Sequence, residues 1–344
     1  LLKEMHKRNI KLIMDLVVNH SSDEHEWFKQ SRSSRDNKYR DYYHWWPAEK
    51  GKPTYRWSFF DVNSEAWKYD AQTDAYYLHY FSQKQPDLNW ENPKVEEAFE
   101  EILRFWLDRG VDGFRVDQPH AMGKAPGLPD HPDVERAGAG FIEGEASPPM
   151  WFQESVHPIF RKWRAILESY PGDRAMCGEA YVLPLSFMAL WVRPDEFNQT
   201  FNFRFLDSEW QPQVLFNSIN ESFEAFDGVS APSTWVLSNH DIVRHATRMG
   251  GLTGRPTASN GIGPNDPQPN RELGLRRARA ATLFTLALPG SMYLYQGEEL
   301  GLPEHTTLEP QYRQDPTYAR TNGERVGRDG CRVPLPWEAG VGAA

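Results

Sequence analysis

Near-continuous apolar runs alternate with helical periodicity along most of this chain. Residues 10–18 (IKLIMDLVV) are apolar at almost every position, which predicts a strand buried on both faces of a parallel sheet. Runs of the same kind recur at 111–116, 175–177, 234–237 and 291–295, with a weaker one at 198–203. Amphipathic helical patterns fall between them at 93–109, 155–170 and 271–288. Pro93 stands where a first-turn proline is tolerated, and Gly110 ends that helix before the next strand. Residues 1–8 read as the end of another helix, with Asn9 as its left-handed stop. Strands alternating with helices predict an α/β chain whose sheet is parallel, with right-handed crossovers.

One segment breaks the rhythm. Residues 21–92 are long, aromatic and polar, with His44-Trp-Trp-Pro47 and Tyr76-Tyr-Leu-His-Tyr-Phe81 inside. A stretch of that length is not structureless in a compact protein, so it predicts an inserted subdomain with short strands of its own. The expected organisation is a barrel start over 1–20, the inserted subdomain over 21–92, and the rest of the catalytic barrel over 93–344. Two further long loops, 118–149 and 250–270, are rich in Gly and Pro.

Composition narrows the ligand more than the fold. A hydrophobic content of 39% over 344 residues supplies a sizeable core. The aromatic load of 13 Trp, 14 Tyr and 19 Phe suits the flat C–H faces of sugars, although most of these rings belong to ordinary core. A formal charge of -10 argues against nucleic acid or an anionic membrane as partner, since both call for basic patches. Cys177 and Cys331 cannot make a disulfide framework and show no zinc-binding spacing; Cys177, inside an apolar run, reads as a small hydrophobe. No cofactor or metal is expected. No stretch approaches the roughly 18–20 apolar residues of a membrane helix, and the first residues lack a signal-peptide pattern. The chain starts without Met, inside a helix, and reads as a fragment; a cytoplasmic location is the expectation.

The chemistry concentrates where apolar runs end. Four such ends carry Asp15-Leu-Val-Val-Asn19-His20, Gly113-Phe-Arg115-Val-Asp117, Cys177-Gly-Glu179-Ala180 and Ser238-Asn239-His240-Asp241. Successive strand ends that deliver polar groups are how a parallel α/β barrel builds an active site on one face. The period of two puts Arg115 beside Asp117, where the guanidinium should keep the carboxylate ionised, as a nucleophile requires; the alternative is a plain ion pair bracing the barrel. Glu179 has no adjacent base, and burial there should favour its protonated form, as a general acid requires. Asp241 can accept hydrogen bonds from sugar hydroxyls. His20 and His240 offer imidazole donors, and each alone is equally a structural residue or a metal ligand; neither has a His-x-x-x-His partner.

In this order the four runs resemble the four sequence regions of the α-amylase superfamily, glycoside hydrolase family 13. The resemblance implies a (β/α)8 TIM-barrel type, incomplete, with the third to eighth strands in this chain and the subdomain inserted after the third. The family's first two strands and its C-terminal β domain would lie outside the sequence, and residues 1–344 alone would be poorly soluble or inactive. It assigns Asp117 as nucleophile, Glu179 as acid/base and Asp241 as transition-state stabiliser, with His20, Arg115 and His240 on the terminal sugar. Phe81 resembles the aromatic platform for that sugar, or is a core ring. Arg328 is a further substrate-binding candidate, or a loop Arg paired with Asp329 or Glu324. Gln85-Pro-Asp-Leu-Asn-Trp90 and Gln296-Gly-Glu-Glu-Leu-Gly-Leu-Pro303 resemble the oligo-1,6-glucosidase and α-glucosidase subgroup, as does Gly327-Arg-Asp-Gly-Cys-Arg332. Gln118-Pro119 departs from it, standing where relatives carry small apolar residues, which puts linkage preference in doubt. The implied function is a retaining, exo-acting α-glucosidase on small sugars. The alternatives are a transglycosylase or sucrose or maltose isomerase of the same superfamily, a non-catalytic binding homologue, and an inactive fragment.

Overall fold

The computed structural model describes residues 1–53, 66–129, 150–251 and 261–338. The expected loops 118–149 and 250–270 therefore lie partly outside the described residues. The chain divides into two compact units, one of residues 1–201 and 228–231, the other of 202–227 and 232–344.

The first unit opens with a short helix, Leu2–His6, closed by Asn9 at φ +56°. Strand β1 (Ile13–Val17) follows. Strands β2 (Trp45–Pro47), β3 (Trp67–Asp70) and β4 (Ala75–Leu78) form a small antiparallel sheet in the order β2-β4-β3. Helix α1 (Pro93–Leu107) has Pro93 in its first turn, and the Asn92 side chain accepts from the Lys94 amide at its start. Strand β5 (Gly113–Asp117) comes next, then helix α2 (His157–Glu168), β6 (Ala175–Glu179) and β7 (Gln199–Thr200). The parallel sheet runs β1-β5-β6-β7.

Its register is what matters for chemistry. Asp15 pairs with Arg115, and Asp117 with Glu179, as Cα partners on neighbouring strands. Side chains alternate, so Arg115 and Asp117 share one face of β5 while Phe114 and Val116, fully buried, fill the other. Gly113 permits the close approach of β6: a Cβ there would lie 2.1 Å from the Ala175 carbonyl oxygen. The expectation that 10–18 is buried on both faces fails. Only Leu16 of β1 is buried, and Ile13 and Val17 are exposed, because among the described residues β1 pairs on one side alone.

In the second unit, helix α3 (Pro212–Asp227) precedes β8 (Thr234–Val236), and helix α4 (Arg271–Leu286) precedes β9 (Ser291–Tyr293), which pairs with β8 in parallel. The core joins Phe205, Ile219, Trp235, Leu237, Met249 and Ala281. Gly274 lets α4 approach the helical turn His245–Arg248, with the Ala246 carbonyl oxygen 2.1 Å from where a Cβ would stand. Among the described residues no helix is long and apolar enough to cross a membrane.

Candidate active site

In the first unit three side chains meet at the ends of β5 and β6. Arg115 Nη1 donates to Asp117 Oδ1 at 2.8 Å and to Asp15 Oδ1 at 2.5 Å. Its Nη2 lies 2.6 Å from Glu179 Oε2. Burial works against the guanidinium's charge, yet Glu179, Asp117 and Asp15 more than offset it and raise its pKa. The expectation that Glu179 lacks a basic neighbour is corrected here. Consecutive strands bring Arg115 diagonally across to it, a proximity that linear spacing does not reveal. Glu179 is also 4% exposed and accepts from Gln118 Nε2 at 3.2 Å.

His20 and Phe81 come together beside this sheet. The His20 ring meets Phe81 edge-on at 5.1 Å between centroids, and its Nε2 is 2.9 Å from Gln85 Nε2. Burial, helped by the Lys124 ammonium, lowers the His20 pKa to about 4, so the ring is neutral near pH 7. Phe81 is itself buried, packed with Tyr80, Trp151 and Leu78, so core packing accounts for much of this ring. Beneath lies a network that sequence reasoning missed. Lys124, fully buried, reaches Asp87 Oδ2 at 3.0 Å and Asn19 Oδ1 at 2.9 Å, and Asp87 accepts from the Tyr80 amide at 2.8 Å. Asp87 sits inside the motif that includes Gln85, and Asn19 adjoins His20; Lys124 stood in a loop with no pattern to mark it.

The second unit assembles Asp241, His240 and Arg328. Asp241 Oδ1 accepts from Arg328 Nη1 at 2.7 Å and Arg332 Nη2 at 2.8 Å, and Oδ2 is 3.4 Å from His240 Nε2. Burial would raise the Asp241 pKa, but His240, Arg328 and Arg332 outweigh it and lower it. Arg328 also donates through Nε to Asp315 Oδ2 at 2.6 Å, a partner that sequence order did not suggest. The Asp329 carboxylate, meanwhile, receives the backbone amides of Gln314 and Asp315 at 3.0 and 2.9 Å. Arg332, read in the sequence only as the end of a motif, grips both residues of the pair, since its Nε donates to the His240 carbonyl at 2.7 Å. Behind them Arg244 donates to the carbonyls of Gln296 and Cys331, and its own amide donates to Glu304 Oε2. Burial pushes the carboxyls of Glu298 and Glu304 each up to about 7. Burial likewise pushes the Cys331 thiol up to about 12, so it is no nucleophile.

A family model matches the chain along its whole length. The model described as the α-amylase catalytic domain matches residues 1–344. The chain belongs to the α-amylase family. The catalytic domain of that family and its structural neighbours are (β/α)8 barrels, so the α/β barrel class expected from the sequence holds. The oligo-1,6-glucosidase of Parageobacillus thermoglucosidasius is 35% identical over 371 residues, covering 98% of this chain and 61% of that protein. The structure of the α-glucosyl transfer enzyme XgtA superposes with a TM-score of 0.81 at 31% identity, covering 98% of this chain and 60% of that one. Trehalulose synthase MutB from Pseudomonas mesoacidophila MX-45 gives a TM-score of 0.78 at 29% identity, with 99% and 62% covered. The chain thus spans about three fifths of the length of these proteins.

Proposed function

We propose that the protein containing this chain is a retaining, exo-acting α-glucosidase whose substrates are small α-glucosides. The observation that carries the reading is the Arg115 guanidinium, which holds Asp117 Oδ1 and Glu179 Oε2 on its two terminal nitrogens. A retaining double displacement needs its two carboxyls roughly 5–5.5 Å apart, against roughly 6.5–9.5 Å for an inverting pair, and two carboxylates that share one guanidinium are close neighbours. The names of the oligo-1,6-glucosidase and α-glucosidase relatives support the substrate class.

In this reading Asp117 attacks the anomeric carbon while Glu179 gives its proton to the departing oxygen, so a C–O bond to Asp117 forms as the glycosidic C–O bond breaks. Water then attacks the same carbon, Glu179 takes its proton, and Asp117 leaves. Asp241 stabilises the oxocarbenium-like states, its own charge maintained by Arg328 and Arg332. His20, Arg115, His240, Arg328 and Phe81 bind the sugar. NMR of the first glucose released should show the α anomer, and Asp117→Asn should abolish turnover without loss of fold. Initial β-glucose, or substantial activity left in Asp117→Asn, would overturn the reading.

The likeness to a trehalulose synthase favours a second reading, an isomerase or transglycosylase that uses the same residues. Product analysis on sucrose separates the two: glucose and fructose indicate hydrolysis, and a rearranged disaccharide indicates transfer.

A further inference from the structure

Gln118 follows Asp117 in an unusual backbone state. Its φ and ψ are +46° and +44°, the left-handed region that residues with a Cβ adopt at a cost. Pro119 denies it the right-handed alternative, and Pro119 is itself buried, close to Gly178 on β6. The turn is therefore held by packing, and it carries the Gln118 amide back across the strand end to Glu179. There Nε2 stands 3.2 Å from Oε2, the oxygen that Arg115 Nη2 already approaches at 2.6 Å.

A carboxylate oxygen facing a guanidinium and an amide N–H accepts from both. A proton on that oxygen would compete with both donors for it. Resting on the acid/base reading of Glu179, we propose that Gln118 is a positioning residue that, with Arg115, fixes Oε2 of Glu179 as the accepting oxygen. Oε1 is then the oxygen that carries the proton to the leaving group and takes it from water. The added donor favours the ionised form of Glu179. That helps the second half-reaction, where Glu179 is the base, and makes the first half-reaction more demanding on poor leaving groups. Among the described residues of its unit, the charged groups beside Glu179 include Arg115 and Asp117 from β5, with Asp15 of β1 reached through Arg115; β7 brings Gln199 and Thr200, which do not titrate.

The test uses Gln118→Leu and Gln118→Gly in the intact protein. Both remove the amide, and the glycine also relaxes the left-handed backbone, so a folded variant is available even if leucine is not tolerated. The Glu179 titration is read by carboxyl NMR with labelled glutamate, assigned through Glu179→Gln, and the basic limb of kcat/KM is recorded on an alkyl and an aryl α-glucoside. Both variants should raise the Glu179 pKa and shift the basic limb upward by about half a unit to one unit. The ratio of alkyl to aryl turnover should rise with them. Superimposable titrations in an active enzyme overturn the inference and leave the glucosidase reading intact. A shifted titration in a protein with no α-glucosidase activity would leave the contact standing and overturn the acid/base role.

Discussion

Asp117 and Glu179 are Cα partners on adjacent parallel strands, and both carboxylates grip the one guanidinium of Arg115. A strand pair thus brings the two groups level, and a cation from the same strand face bridges them. Arg115→Lys keeps the charge but loses the fork, so one ammonium cannot serve both oxygens. The expected outcome is a fall in kcat/KM of about 10²–10³-fold on an aryl α-glucoside, with the melting temperature little changed. Activity within a few-fold of the parent would mean the fork is not what aligns the pair.

The Lys124–Asp87 pair lies wholly inside the first unit. Removing one partner of a buried ion pair leaves an uncompensated charge, so Lys124→Met should cost about 3–5 kcal/mol in urea unfolding. Adding Asp87→Asn, which retains an acceptor for the Tyr80 amide, should restore part of that loss. A double variant no more stable than Lys124→Met would indicate that the lysine acts through packing instead.

Glu298 gives a pH dependence with a definite sign. Its folded pKa of about 7 lies above the ordinary 4.5 because burial disfavours the charge. The stability it contributes is full below about 4.5 and is lost as pH rises through about 7, since only the folded form holds the proton between those values. Glu298→Gln does not titrate. From pH 5 to pH 8 the stability difference should therefore move by about 2–3 kcal/mol in favour of the variant. Chemical denaturation at the two pH values measures it, and a constant difference would show that Glu298 is ionised throughout.

Arg332 is half-exposed and holds the His240 carbonyl and the Asp241 carboxylate together. Arg332→Ala should cost little stability, because both acceptors keep other partners or reach water, but it frees the pair to drift. A misplacement of about 1 Å at a catalytic group can cost about 10²-fold in rate. A loss of about 10–100-fold in kcat, larger than the change in KM, is expected from steady-state kinetics; an effect confined to KM would make Arg332 a simple binding group.

The sequence made the strand ends legible because apolar runs that stop at a polar group are a one-dimensional signal. All six expected strand regions carry strands, though 198–203 yields only Gln199–Thr200. Helix α3 escaped notice, since Asn217, Ser218, Asn220 and Ser222 interrupt its apolar stripe. In the site, neighbours along the chain were readable and neighbours across strands were not. Arg115 beside Asp117 follows from a period of two, whereas Arg115 beside Glu179 requires the register of β5 on β6. The roles of Lys124 and Arg332 were invisible for the same reason: each acts on residues more than 30 positions away. Gln118 drew attention as an odd residue, but its reach to Glu179 depends on a positive φ that no pattern announces.

The missing side chain at Gly113 has a consequence for how such a protein can change. With the Ala175 carbonyl occupying the space of a Cβ, the β5–β6 ladder is clamped at its starting rung, four residues before Asp117 and Glu179 come level. Insertions and deletions in the loops beyond those residues leave the rungs uncounted, so loop length can drift and reshape what reaches the site. A single residue gained or lost between Gly113 and Asp117 would turn the aspartate to the opposite face and strand it among Phe114 and Val116. The reaction is thus recorded in a count of five residues, and specificity is free to be rewritten around it.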